Sequence, residues 1–411
     1  MSVFRMAWRN VWRNKRRSVV TMAAITLALF VEILYSGLIT GYMQGLEDDI
    51  LDLEVGDIQV HAPGYQDRPS IYTAIEDPDN LLERLDQVGY PASARLLTGG
   101  LAAAGDFSAG VSLRGINLDR DAQVTLIGEK MAQGRWLKAS DVGRLGEERT
   151  GVVLGRRLAK SLEAKPGDEI VILTQAADGS MANDLFRVCG VLMGIADATD
   201  RTAVFMTEEA FRDFMVFPEG AHQVIVRRPE DVELEEAAVT VLSLAGELDV
   251  KTWKELMPVV ATMLESTEGL ILIVFFIVYV AVGILILNAM LMAVFERVRE
   301  FGVLKALGGG PVLVLKLIFT ESAIQTCIAI GVGVTLALPG MWYLGNFGIN
   351  VGKLGGMSAM GLAMRPVWHG IYNAATLRGP LLMLIVIVFL AVLYPALKAA
   401  LIRPVDAMRH Q

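Results

Sequence analysis

Residues 270–295 read LILIVFFIVYVAVGILILNAMLMAVF, an apolar run without one charged side chain, and give way at once to ERVREFGVLKALGGG over 296–310. At 1.5 Å per residue a helix of that length outreaches a hydrocarbon layer of roughly 30 Å. Three further runs are apolar enough to do the same: 19–38, interrupted by Glu32; 312–338, carrying Lys316 and Glu321; and 380–397. A cleavable signal peptide does not account for the first, because its apolar stretch exceeds the roughly 7–15 residues of an h-region and no small-residue cleavage site follows. The whole chain agrees: 411 residues, 53% hydrophobic, 20% charged, with a mean hydropathy of +0.46. Such numbers exclude an ordinary soluble protein, a disordered chain and a disulfide scaffold. Transmembrane helices are therefore expected at 18–42, 269–295, 311–339 and 380–398.

The distribution of Lys and Arg orients them. Arg5, Arg9, Arg13, Lys15, Arg16 and Arg17 precede the first span with no acidic residue among them; Arg297, Arg299 and Lys305 follow the second; Lys398, Arg403 and Arg409 follow the fourth. All three sets fall on one side of four crossings, which is thereby the cytoplasmic side. Residues 43–268, between the first two spans, hold 21 basic and 40 acidic residues, against 16 and 5 in the rest of the chain. That asymmetry suits a translocated domain on a positive-inside anchor, and a segment this acidic does not bind nucleic acid by its net charge. The reading is an α-helical membrane protein with four transmembrane helices in a 1+3 arrangement and a large α+β extracytoplasmic domain inserted between helices 1 and 2. An outer loop at 340–379 and a cytoplasmic tail at 399–411 complete the division.

Within 43–268, strand composition marks 57–61, 151–154, 169–173, 187–192 and 223–226, and helical periodicity marks 79–88, 155–162, 207–215 and 229–245. Asp178-Gly179 signals a tight hairpin near 174–184. Apolar residues spaced by three and four over 42–53 and 252–267 predict that the first two membrane helices continue outward as stalks, the alternative being two amphipathic helices packed on the domain. His61, His222, His369 and His410 are scattered and show no metal-site spacing. Cys189 and Cys327 fall in different compartments of this scheme, so no disulfide is expected between them.

Two elements belong to the cytoplasmic face. In residues 1–17, Phe4, Trp8 and Trp12 recur every four residues beside Arg5, Arg9 and Arg13, the pattern of a helix lying in the membrane interface with its guanidinium groups among phosphates. In 296–310, charges of both signs alternate with apolar residues at helical spacing and a glycine run stops the helix. A short amphipathic helix of this kind suits docking in a partner's groove.

The segment ERVREFGVLKALGGG resembles the coupling-helix motif of the MacB/FtsX-like ABC transporter permeases, a group that includes LolC/LolE-type lipoprotein-releasing subunits. AWRNVWRNKRRSVVT (7–21), SLRGINLDRDAQVTLIGEKMAQGRWL (112–137), GVVLGRRLAKSLEAKPGDEIVIL (151–173), FTESAIQTCIAIGVGV (319–334) and LYPALKAALIRPVDAMR (393–409) resemble the same family, in the same order. The resemblance implies a permease dimer, from two copies or from a sister subunit, bound to a cytoplasmic ABC ATPase dimer in the bacterial inner membrane with the large domain in the periplasm. It also implies ATP-driven motion passed to that domain, with an acylated lipoprotein as substrate and a periplasmic chaperone as a further partner.

No G-x-x-x-x-G-K-[ST] loop occurs in the chain, so a non-catalytic permease is expected, with ATP and Mg bound by the partner rather than by this chain. Carried over from the family motif, Glu296, Arg297, Arg299, Glu300, Gly302, Lys305 and Gly308 form the coupling element, the charged residues positioning the ATPase while Val303, Leu304 and Leu307 fill its groove. Glu32, Glu321 and Gln325 are the intramembrane polar candidates. Glu321 is read as structural or mechanical. Glu32 admits three readings: facing a dimer cavity, pairing with Gln325, or remaining protonated and tolerated. Two rival functions stand beside lipoprotein extraction: MacB-like export of peptides or drugs through a periplasmic tunnel, and FtsX-like regulation of cell-wall hydrolases. The first normally carries a fused N-terminal ATPase, which this sequence does not show.

Overall fold

A computed structural model describes residues 3–143, 149–229, 231–351, 358–359, 362–363 and 367–402. Arg403, Arg409, His410 and most of the segment between 352 and 366 lie outside the described residues. The helices in chain order are α1 (Val3–Arg13), α2 (Lys15–Ile50), α3 (Pro78–Gln87), α4 (Leu118–Val124), α5 (Arg156–Ser161), α6 (Asp197–Thr202) and α7 (Glu208–Met215). They continue as α8 (Leu234–Ala245), α9 (Trp253–Leu256), α10 (Pro258–Glu296), α11 (Val298–Ala306), α12 (Pro311–Asn346) and α13 (Ala374–Leu401). The strands are β1 (Ile58–His61), β2 (Ala92–Ala104), β3 (Phe107–Ile116), β4 (Met131–Gly134), β5 (Gly151–Leu154), β6 (Glu169–Gln175), β7 (Met181–Leu192), β8 (Ala203–Thr207), β9 (Gln223–Val226) and β10 (Asp249–Thr252). Two two-residue ladders follow α12.

The chain divides into a helical unit, 1–44 with 263–351 and 367–411, and an α/β unit, 45–262 with 352–366. Among the described residues, four helices are long and apolar enough to cross a membrane: Lys15–Leu53, Pro258–Glu296, Pro311–Asn346 and Thr376–Leu401. Their shared core includes Leu29, Ile33, Tyr279, Ile286, Ile318 and Leu384.

Close helix packing is set by small residues, as expected where lipid removes the hydrophobic drive for helices to associate. On α12, a Cβ at Gly333 or Gly340 would meet the side chains of Leu29 and Leu34 at 3.2 and 2.9 Å, so α2 seats there. Gly37 and Gly41 of α2 form a G-x-x-x-G notch, and it is filled from within the chain. The Tyr372 ring occupies the space of a Gly37 side chain, the His369 carbonyl that of Gly41, and the Ile371 N–H donates to Gly37 O at 2.9 Å.

α13 begins at Ala374, earlier than the expected 380, and α12 runs on to Asn346, past the expected 339. Both differences involve prolines inside helices. Pro380 cannot donate to the carbonyl four residues earlier, and that oxygen, on Thr376, instead accepts the Ser36 hydroxyl at 3.2 Å. Asn373 and Thr376 form a capping box that fixes the new start. Pro339 is likewise accommodated within α12. The connection is consequently shorter than the expected 340–379.

One expected stalk is a continuous helix and the other is not. α2 extends through Ile50 and ends in a π-turn, Leu51–Val55. Around 252–267 the expected single helix is two, α9 and α10, parted at Met257 (φ −125°, ψ 60°). Pro258 explains the break, since the residue before a proline is pushed out of helical geometry.

The α/β unit is built on a ten-stranded mixed sheet in the order β10-β1-β9-β2-β3-β8-β5-β7-β4, with β6 paired to β2 and β7. Its longest ladder is the β2–β3 hairpin, in register from Arg95↔Ile116 to Ala104↔Phe107. The expected hairpin near Asp178 joins β6 to β7. Ala176 and Ser180 close it around a three-residue loop in which Gly179 takes φ +86° and Asp178 accepts from the Ser180 N–H and hydroxyl. His61 and His222 do meet: His61 Nδ1 lies 3.0 Å from the His222 carbonyl, and the Tyr65 ring stacks on His61. Both are buried with hydrogen-bond partners, and no group of three metal-ligating side chains occurs among the described residues. Cys189 and Cys327 are both free thiols.

Candidate functional site

The charged residues singled out in 296–310 converge at one end of the helical unit. α10 stops at Glu296 and Arg297 leaves helical geometry (φ −115°, ψ 12°) before α11 resumes. The break turns the Arg297 side chain inward. Its Nη1 donates to both oxygens of Glu321 on α12, at 3.0 and 2.9 Å, its Nε donates to Glu300 at 3.1 Å, and its guanidinium lies over the Phe301 ring. Glu321 also accepts from Asn10 Nδ2 of α1 at 2.5 Å. One carboxylate thus ties three helices.

A more exposed tier surrounds that pair. Arg13 of α1 bridges to Glu300 at 2.8 Å, and Glu296 accepts from Arg17 at 2.7 Å and Asn14 at 3.3 Å. Burial pushes the Glu300 carboxyl up, but hydrogen bonds from Arg13 and Arg297 outweigh it, leaving the group below its ordinary range. Lys305 Nζ donates to the carbonyls of Ala399, Ala400 and Ile402, capping the last turn of α13, and burial lowers its pKa. Exposed pairs of this kind contribute about 0–1 kcal/mol each. The buried Arg297–Glu321 pair is different: removing either partner strands a charge, at about 3–5 kcal/mol.

Most of the charged residues expected to position an ATPase also have partners within the chain. Glu296, Arg297, Glu300 and Lys305 are engaged within the chain, because each has a complementary partner on α1, α2, α12 or α13 that lies far away in sequence. Arg299 is exposed. Of the apolar set, Val303 (46% exposed) and Leu307 (81%) face outward, whereas Leu304 is partly buried and packs against the helical core. Gly302 is buried. Gly308 takes φ +93°, and the Gly309 N–H returns to the Leu304 carbonyl at 3.0 Å, which ends α11 as the glycine run predicts.

α1 presents Phe4, Trp8 and Trp12 along an exposed face, the first pair stacked at 6.5 Å and the second edge-on at 6.1 Å, while Ala7 and Val11 pack inward. Arg5 and Arg9 lie on the exposed side and Arg13 is committed to Glu300. The helix ends at Arg13, short of the expected 17, where the Ser18 hydroxyl donates back to the Val11 carbonyl across the bend at Asn14.

Glu32 is 1% exposed and, among the described residues, its Oε2 has no hydrogen-bond partner; the Tyr279 hydroxyl is buried without one among them as well. Gln325 donates to Ser18 instead, at 3.4 Å. Gln325 is thus engaged elsewhere, and Glu32 is buried within this chain. Sequence reasoning missed Asn10, Asn14 and Arg17 as members of the cluster, and their only signal was a polar stripe beside the arginines of α1 and the start of α2.

Residues 18–243 match the MacB-like periplasmic core domain and residues 272–404 the FtsX-like permease C-terminal family. The chain is 22% identical to the lipoprotein-releasing system transmembrane protein LolC of Neisseria meningitidis over 97% of this chain and 96% of that protein. It is 25% identical to the macrolide export ATP-binding/permease protein MacB of Neisseria gonorrhoeae over 82% of this chain and 53% of that protein, so it spans about half the length of such relatives. The crystal structure of the periplasmic region of MacB from Actinobacillus actinomycetemcomitans aligns with 55% of this chain and 98% of its own, at 17% identity and a TM-score of 0.36. With more than half of its length matched by one family model and most of the remainder by the other, the chain belongs to the MacB/FtsX-like family of ABC transporter permeases.

Proposed function

We propose that this permease passes ATP-driven motion from a separate cytoplasmic ATPase to its MacB-like domain, and that its substrate is an acylated lipoprotein extracted from the bacterial inner membrane. One observation carries the choice of substrate: similarity to a lipoprotein-releasing permease runs end to end through both chains. In this reading the four apolar helices cross the membrane in a 1+3 arrangement, residues 43–268 stand in the periplasm, and α1 and α11 lie at the cytoplasmic face. The ATPase binds ATP and Mg, a second copy or a sister permease completes the complex, and a periplasmic chaperone receives the product.

The cluster around Glu321 gives the transmission a physical basis. A push on Val303 and Leu307 reaches α1 through Glu300–Arg13 and α12 through Arg297–Glu321, and reaches α13 through the Lys305 cap. The buried members are hard to separate, so the displacement moves several helices together instead of bending α11 alone.

The second reading, MacB-like export of a peptide or drug, is supported by identity of 24–25% to MacB proteins over 82% of this chain. The two separate in one experiment. The permease is purified with its ATPase from cells fed a clickable palmitate analogue. The lipoprotein reading expects labelled protein to be retained without ATP and released on its addition; absence of label together with efflux of a soluble compound that requires this chain would establish the exporter instead.

A further inference from the structure

Lys316 is exposed on α12, a helix long and apolar enough to cross a membrane, and among the described residues it has no ion-pair partner. Glu321, the one carboxylate of that helix, is held by Arg297 and Asn10. An ammonium on such a helix is costly where water is scarce, and an anion answers it. Beginning one turn along, a groove of about 540 Å³ runs between α12 and α1. Phe4 and Trp8 wall it on α1, and Phe319, Ala323, Ile324 and Cys327 on α12. Thr320, Ala323 and Cys327 follow Lys316 by four, seven and eleven residues, the spacing of one helix face. The Thr320 hydroxyl is turned to the Lys316 carbonyl at 2.6 Å, so the α12 wall is hydrocarbon, aromatic ring and thiol. Ile328, the last α12 residue of the groove, lies about 18 Å from Lys316 along the helix axis. The Asn10–Glu321 bond and the inward packing of Ala7 and Val11 fix α1 against α12.

We infer that the α1–α12 groove binds an anionic glycerophospholipid, its phosphate on the Lys316 ammonium and one acyl chain along α12 beneath Phe4 and Trp8. The inference rests on the reading that α12 crosses the membrane, and holds whatever substrate the permease moves. Charge complementarity selects the headgroup, since a Lys near a membrane surface attracts anionic lipid. The apolar walls select a lipid over a free anion, which gains nothing from them. Size selects a chain over a helix: one turn of helix with its side chains, about 10 Å across and 5.4 Å high, fills about 420 Å³. The groove therefore admits little more than one turn, whereas a flexible acyl chain follows its whole length. The bound lipid would brace α1 against α12 beside the Asn10–Glu321 bond, at the edge of the cluster that joins α11 to both.

The test uses the purified full chain in a neutral detergent with phosphatidylglycerol carrying a photoactivatable acyl chain, and maps the crosslinks by peptide mass spectrometry. Label is expected on residues 319–328 of α12. Unlabelled phosphatidylglycerol should compete it away, phosphatidylcholine should compete less well, and inorganic phosphate should not compete. Lys316→Gln is expected to raise the half-saturating phosphatidylglycerol concentration at this site about fivefold. Ala323→Trp fills the groove without altering charge and should remove the label here while label elsewhere on the chain persists, which separates loss of the site from loss of the fold. Label on other apolar helices but not on 319–328 overturns the inference alone; label on none of the four counts against the membrane reading and the inference together. Equal competition by phosphatidylcholine, or by inorganic phosphate, also overturns it. Oxidative joining of two copies through Cys327, undiminished by phosphatidylglycerol, would assign the groove to a self-contact.

Discussion

Arg297 Nη1 donates to both carboxylate oxygens of Glu321, and these two side chains are 7% and 10% exposed. Arg297→Met leaves the Glu321 carboxylate buried with only Asn10 to answer it, and is expected to cost about 3–5 kcal/mol. The double variant Arg297→Met/Glu321→Met removes both charges and is expected to recover most of that loss. Denaturant unfolding of the full chain in detergent measures both. Equal losses in the single and double variants would show that the pair is not what holds α11 to α12.

Leu307, at the C-terminal cap of α11, is 81% exposed, whereas Leu304 packs against the helical core. Leu307→Asp is therefore expected to abolish copurification of the ATPase while leaving the thermal midpoint of the permease unchanged. Leu304→Asp should lower the midpoint as well as ATPase association. If Leu307→Asp retains the ATPase, docking lies elsewhere.

The Ser36 hydroxyl satisfies the Thr376 carbonyl that Pro380 leaves open. Ser36→Ala strands that oxygen among apolar helices and is expected to cost about 1–3 kcal/mol. Restoring a donor within the helix by Pro380→Ala should make the Ser36→Ala substitution nearly neutral, and comparing the four proteins by thermal unfolding checks the coupling.

His61 and His222 are both held below the ordinary histidine pKa, chiefly by burial; Lys251 lowers His61 further while Asp249 and the His222 carbonyl oppose, and Arg212 lowers His222 against the Ile71 carbonyl. A depressed folded-state value means that the unfolded chain takes up protons first. Their contribution is complete above the unfolded pKa of about 6.5 and is lost as pH falls from there through the folded values. The α/β unit should unfold at a lower temperature at pH 5 than at pH 7.5. His61→Gln should flatten part of that dependence, followed by circular dichroism of the full chain; an identical slope would assign it to other groups.

The four apolar helices were legible because length and composition alone specify them, and β5, β9, α3 and α7 fell within a residue or two of their expected positions. The β2–β3 hairpin was not. Ala102, Ala103, Ala104, Gly99 and Gly100 carry little strand propensity, and it is pairing with β3, joined at Ala102 and Ala103 by β6 on the other side, that makes them extended. The inward turn of Arg297 was equally hidden, since its partner stands 24 residues away and that partner's other ligand, Asn10, 311 away. Amphipathic spacing says that a helix has two faces. It does not say which charges are already spoken for by side chains brought in from elsewhere.

Tyr372 and His369 plug the glycine notch of α2 at Gly37 and Gly41. Two such permeases cannot embrace through that notch without first evicting the chain's own plug, and a bulkier residue at either position would report on the plug's seating, not on dimer affinity. In the dimer proposed above, a second copy would have to meet this chain along another stripe of the helices.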